Sequence, residues 1–312
     1  MKRLMSILLI GIFILTGCTG RTAPPQTYRF VGAFGAQTDI TARTTDGAAF
    51  LQAVRQTEQG LTRMSALLSG PATGYELGLD AINRFAGQNA VAAAPEVLRY
   101  AQTLGLWRQR WPEDAGALPA VAVDLNYRTV TLAAGTSLPA GEVARGFALD
   151  DGAVQLQSLL QTQARQAAAT ALPTASPSPS AQATLGAPYR SAKPAALEGL
   201  LLQCGGGIRV AGTPPAGRGW PVAIDGANSS PTLWLKNGGA CIRTRNQQPT
   251  LAWRALVVTA ADAMTAALVS EQLCGLTIEQ GRDLLRSRSI AAAAWVLDNG
   301  AVVREGSISL TR

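Results

Sequence analysis

Histidine is absent from this 312-residue chain. That lack removes the Ser/His/Asp triad, the Cys/His dyad, the HExxH zinc site and most transition-metal centres, because each needs an imidazole as base or ligand. Cysteine is scarce as well. Apart from Cys18, only Cys204, Cys241 and Cys274 occur, too widely spaced for a zinc knuckle and odd in number for a closed disulfide set. Their spacing leaves open whether, or which, pair is bridged. Charged residues make up 15% of the chain, and the net charge of +7 includes Lys2 and Arg3, leaving +5 without any basic run. That is not the footprint of a nucleic-acid-binding protein, and no nucleic acid is expected as a partner.

What the amino terminus does contain is specific. Met1, Lys2 and Arg3 precede an apolar run from Leu4 to Leu15, which closes on Leu15, Thr16, Gly17 and Cys18. The run is shorter than the roughly 18 residues needed to span a bilayer, and small residues stand just before the cysteine. This is the pattern of a signal peptide ending in a lipobox. Residues 1–17 are expected to be cleaved off, the Cys18 thiol to take the lipid, and the mature protein to be an extracytoplasmic, membrane-anchored lipoprotein. Residues 18–27 then read as a short polar tether with Pro24 and Pro25.

With 47% hydrophobic residues, the part from 28 to 312 can bury a large core. Tyr28 to Ala42 alternates as a strand does. Asp46 is a good N-cap for a helix whose apolar residues Phe50, Val54, Leu61, Met64 and Leu68 share one face. Residues 70–93 read as loop and turn. Pro95 opens a second helix carrying Val97, Ala101 and Leu104, and Val121–Asp124 with Thr129–Leu132 reads as a hairpin. A third helix is expected from about Glu142 to about Ala168. Residues 169–195 are so rich in Ala, Pro, Ser and Thr that they are read as a disordered insertion. A strand from Leu197 into Gly205–Gly207, another at Trp220–Ile224, helices from about Ala260 and over Thr277–Arg286, and a closing hairpin of 292–297 and 301–310 complete the chain. Helices and strands interleave throughout, which indicates a mixed α and β fold, class α+β.

Three stretches resemble, in order, motifs of the FAD:protein FMN transferase (ApbE) family. The first runs from Gly141 and Glu142 through Val143, Ala144, Arg145, Gly146 and Phe147 to Asp150. The second is Cys204, Gly205, Gly206, Gly207 and Ile208 with the later strand Trp220–Ile224. The third is Ala261, Asp262, Ala263, Met264, Thr265, Ala266, Ala267 and Leu268. Weaker matches fall at Phe34, Gly35 and Thr38, and at Glu76, Ile82, Asn83, Pro95 and Glu96, so the resemblance spans about Phe30 to about Gly300.

The resemblance implies an ApbE-like, T-fold-related fold with sheets packed on helices. It also implies an activity: Mg²⁺-dependent transfer of FMN from FAD to a Thr or Ser of an exported flavoprotein, with release of AMP. Arg145, Gly146, Gly206 and Gly207 would contact the cofactor, and Glu142, Asp262 and Thr265 would hold the metal. The free N–H groups and basic side chain of the first motif suit a pyrophosphate, and hard oxygen ligands suit Mg²⁺. Departures from the family pattern stand beside these expectations, among them Pro139 two positions before Gly141 where an acidic residue is usual, and Leu106 to Trp111 in place of a segment rich in Gly and Phe-Asp-Pro. The family's His-x-[IV]-Asp-Pro segment is missing, and Ala266 occupies its usual hydroxyl position, with Thr265 one residue early. A catalytically inactive flavin-binding or scaffold lipoprotein is the alternative, and no catalytic base is identified.

Overall fold

The structure, a computed structural model, describes residues 24–70, 78–112, 118–170, 197–215, 217–224, 231–245 and 253–311. Cys18, Glu76 and most of the insertion expected at 169–195 lie outside the described residues.

Eight strands form one antiparallel sheet in the order β1-β2-β6-β7-β10-β11-β12-β13. They are β1 Gln26–Val31, β2 Gln37–Arg43, β6 Gly199–Cys204, β7 Gly207–Gly212, β10 Gly238–Thr244, β11 Ala255–Ala260, β12 Ala291–Val296 and β13 Val302–Glu305. The middle strands are nearly continuous apolar runs, as is needed when both faces of a sheet are covered. Because alternate side chains point to opposite faces, each run feeds two cores. Cys241, Leu256, Val258, Ala293 and Trp295 join the helices on one face. Ala240, Ile242, Ala255, Val257 and Ala294 meet a small sheet on the other. That sheet has the order β14-β9-β8, from β8 Trp220–Ala223, β9 Thr232–Leu235 and β14 Leu310–Thr311.

The helical layer contains α1 Gly47–Ser69, α4 Glu142–Thr170 and α5 Ala263–Cys274. As expected, the Asp46 carboxylate caps α1, accepting the Ala49 N–H at 3.0 Å, and Phe50, Val54, Leu61, Met64 and Leu68 are buried. In α4, Val143, Ala144, Phe147, Ala148, Leu149, Ala153, Leu156 and Leu160 are buried, and α4 packs against α1, α5, β6 and β7. Each large apolar side chain removed from water this way contributes about 1.5–3 kcal/mol. A third unit sets α3 Pro95–Arg110 beside the sheet β3-β5-β4, built from β3 Val91–Ala92, β4 Val121–Asp124 and β5 Thr129–Leu132. In α6 Ile278–Arg288, Thr277 and Gln280 form a reciprocal capping box.

Four expectations change. Tyr28–Ala42 is two strands, because the chain reverses through a 3₁₀ turn at Ala33–Gly35 in which Phe34 is left-handed, φ 52°. The loop expected at 70–93 includes a one-and-a-half-turn helix, α2 Leu79–Arg84, too short to show a period in sequence. The final hairpin ends at Glu305, and Leu310–Thr311 leaves it to pair with β9. The third helix continues past Ala168 to Thr170, into the start of the expected insertion.

Candidate functional site

Two chain reversals and one helix start converge at the end of β1, β2, β6 and β7. The Ala33–Gly35 turn is held by the Phe34 N–H, which donates to Ser65 Oγ of α1 at 2.6 Å. A left-handed non-glycine residue costs about 1–2 kcal/mol, so this turn is fixed by its surroundings. Gly205 and Gly206 connect β6 to β7, with Gly205 at φ 54°. Above both turns begins α4. Its first intrahelical bond is Arg145 N–H to Gly141 O, 2.9 Å. The N–H groups of Glu142, Val143 and Ala144 precede that bond and have no partner within the helix.

Arg145 spans the gap between helix and turns. Its guanidinium pairs with the Glu142 carboxylate, donates to Phe34 O at 3.3 Å and lies 6.0 Å from the Phe34 ring. Only 13% of its side chain and 15% of that of Glu142 are exposed. One carboxylate oxygen of Glu142 and Nε of Arg145 are buried without a hydrogen bond. A Cβ on Gly205 would come within 2.9 Å of this guanidinium, so the position admits no side chain without displacing it. The nearby thiols do not supply a nucleophile. Burial pushes Cys241 up to about 11, and Cys204 is raised for the same reason. Among the described residues, Cys204, Cys241 and Cys274 are free.

A second polar centre surrounds the start of α5. Asp262 Oδ1 accepts the Thr265 N–H at 2.7 Å, as an N-cap. Asp150, reaching over from α4, accepts the Ala263 N–H at 3.0 Å and the Met264 N–H at 2.9 Å. The next N–H, of Ala266, bonds to Asp262 O at 3.2 Å. Every donor of this helix end is therefore already paired with the protein itself. Arg209 of β7 completes the group: its Nε lies 3.2 Å from Asp150 Oδ1, an ion pair without hydrogen-bond alignment, and its Nη1 donates to Ala261 O at 2.8 Å. Burial pushes the Asp150 carboxyl up to about 6. The Asp262 carboxylate adds to the rise, and the two N–H groups and Arg209 oppose it.

The structure thus brings Glu142 and Arg145 together at one centre, and Asp262 and Thr265 at the other. Gly146, Gly206 and Gly207 meet protein at close range. A Cβ on Gly146 would lie 2.6 Å from Ala263 O, on Gly206 2.1 Å from Ile242 O, and on Gly207 2.9 Å from Leu149 Cδ1. Gly146 and Gly207 let α4 approach α5 and the sheet, and Gly206 lets the β6–β7 turn lie against β10. Among the described residues no three His, Cys, Asp or Glu side chains gather to hold a metal ion. Glu142 is bound to Arg145, and Asp262 is engaged as a cap, so the donor set does not fit the Mg²⁺ that the resemblance implies. Asn83 and Glu96 are structural. Asn83 clamps Leu138 through bonds of 2.7 and 3.1 Å, and Glu96 pairs with Arg63 at 2.9 Å. Sequence reasoning missed the roles of Asp150 and Arg209, although both stand within or beside the quoted motifs.

No protein-family model matches the chain, and no curated protein matches it. Solved structures do. The ApbE protein of Thermotoga maritima superposes with a TM-score of 0.62 at 14% identity, over 91% of this chain and 97% of that one. The flavinyl transferase ApbE of Pseudomonas stutzeri in its apo form gives 0.60 at 16%, over 91% and 96%. The flavin transferase ApbE of Vibrio cholerae gives 0.59 at 14%, over 91% and 98%. The chain has an ApbE-like α+β fold, at low sequence identity.

Proposed function

We propose that this chain is a flavin transferase-like lipoprotein that takes FAD and passes its FMN half to a Thr or Ser of an exported flavoprotein. The observation that carries the reading is the start of α4. Three N–H groups there have no helical partner, and Arg145 beside them reaches the Phe34 and Gly205 turns. A diphosphate is the ligand such an arrangement favours, since helix N-termini and guanidinium groups both bind its oxygens. The fold shared with the flavin transferases supports the same reading.

In the transfer, the acceptor hydroxyl oxygen bonds to the phosphorus of the FMN half, the bond from that phosphorus to the bridging oxygen breaks, and AMP leaves with that oxygen. The hydroxyl proton goes to solvent. Arg145 would meet the charge that develops on the phosphoryl oxygens. No step is assigned to a metal. Export and lipidation at Cys18 belong to the proposal and place the acceptor outside the cytoplasm.

One observation favours a second reading, FAD binding without transfer: the chain has no histidine, and both carboxylates at α5 are engaged as caps. The two are separated by incubating the mature chain with FAD and an acceptor domain, then looking by mass spectrometry for covalent FMN and free AMP. Both products, lost in Arg145→Ala, support transfer. FAD retained without either product leaves the binding reading, and no FAD retained sinks both. The N-terminal peptide from the same preparation should carry acyl chains on Cys18.

A further inference from the structure

We infer that Arg209 is the built-in counter-charge of the acidic pair Asp150 and Asp262, closing the α5 start to divalent cations. The chain consequently handles flavin nucleotide without a metal, a consequence that rests on the function proposed above.

The argument starts from what the two carboxylates already do. Asp150 uses both oxygens on backbone donors, Oδ1 on Ala263 and Oδ2 on Met264, and Asp262 uses Oδ1 on Thr265. Mg²⁺ demands close to octahedral oxygen coordination at about 2.0–2.1 Å and gives up its water reluctantly. To reach it, Asp150 would have to release the Ala263 and Met264 N–H groups, and Asp262 would have only Oδ2 left to offer. Ala266, fully buried, stands where the resemblance places a helping hydroxyl, and Thr265 is one residue early.

Arg209 closes the site further. Its side chain is 21% exposed and that of Asp150 22%, so the pair is largely removed from water and a second cation nearby would meet strong repulsion. The guanidinium is anchored at two points, to Asp150 and to Ala261 O, the residue before Asp262. It cannot leave without stranding Asp150, whose carboxyl is already raised by burial and by the neighbouring Asp262 carboxylate. Arginine is also effectively always protonated, so the counter-charge is permanent. At the other centre, the Arg145 guanidinium, paired with Glu142, is the positive charge that a phosphate would meet.

The test uses the mature chain and Mg²⁺ itself. Wild-type melting temperature should not respond to millimolar Mg²⁺. Arg209→Met keeps the aliphatic stem but removes the charge, and Mg²⁺ should then raise the melting temperature by several degrees, a response abolished by adding Asp262→Asn. If Arg209→Met does not fold, the wild-type titration still decides: a saturable Mg²⁺ stabilisation lost in Asp262→Asn overturns the inference. FAD affinity, read by flavin fluorescence in EDTA and in Mg²⁺, should agree within about twofold. A tenfold loss in EDTA overturns the metal-free part, whereas no FAD binding in either buffer overturns the proposed function and leaves the Mg²⁺ titration to decide on Arg209.

Discussion

Asp150 has the most consequential environment of any single side chain at the α4–α5 junction. It sits on one helix and caps another, and burial raises its carboxyl from 3.8 to about 6. A carboxyl held above its unfolded value favours the folded state when protonated. That contribution is complete below about 4 and is lost as the pH rises through about 6. A tenfold change in a protonation equilibrium corresponds to about 1.4 kcal/mol, so the swing is on the order of a few kcal/mol. Urea unfolding of the wild type at pH 4.5 and 7.5 should show this component, and Asp150→Asn should remove it while lowering stability at pH 7.5 through the loss of one of the two backbone N–H bonds that Asp150 accepts. If the wild type and Asp150→Asn differ by the same amount at both pH values, the raised carboxyl is not real. The same residue illustrates what sequence withholds. Arg145 and Glu142 can be read as neighbours because three residues apart on a helix share a face. Asp150 and Arg209 meet only because β7 runs beneath α4, and nothing local announces it.

Among the elements, legibility follows the strength of the local signal. The helices α1, α3, α5 and α6 are readable from Asp46, Pro95, Asp262 and Thr277, each a cap or first-turn residue before an apolar period. The strands β10 and β11 are not, since their apolar runs alternate between two cores and show no polar face to mark them, and β9 is only four residues long. The break between β1 and β2 is carried by Gly32 and Gly35, both at positive φ, with Phe34, not a turn-forming residue type, left-handed between them. Gly146 is readable as special but not for the right reason. Its backbone lies so close to α5 that an added methyl would sit 2.6 Å from Ala263 O and 2.8 Å from Met264 Cα. Backbone cannot yield as a flexible side chain would, so Gly146→Ala should cost about 1–3 kcal/mol by forcing the helices apart. Thermal unfolding measures this, and an unchanged melting temperature would return Gly146 to a ligand-contact role.

For the molecule as a whole, the eight-stranded sheet is a shared wall between two cores, and the second core depends on the last residues of the chain. Leu310 pairs with Leu233, Trp234 N–H donates to Ser309 O at 2.9 Å, and Trp234 Nε1 donates to Thr311 Oγ1 at 2.8 Å. Ile308 and Leu310 are buried there with Trp220, Val222, Leu233 and Leu235. No helix among the described residues is long and apolar enough to cross a membrane. Truncation after Gly306 removes β14 and uncovers β9 together with the floor beneath it. Losing two buried large aliphatic side chains alone corresponds to several kcal/mol. The truncated chain should therefore melt well below the full one and bind a hydrophobic dye in the native baseline. Because the helical core on the opposite face shares the strands β10, β11 and β12, both cores should fail in one transition. Separate melting of the two faces, followed by tryptophan fluorescence and by far-ultraviolet circular dichroism, would mean that the sheet does not couple them.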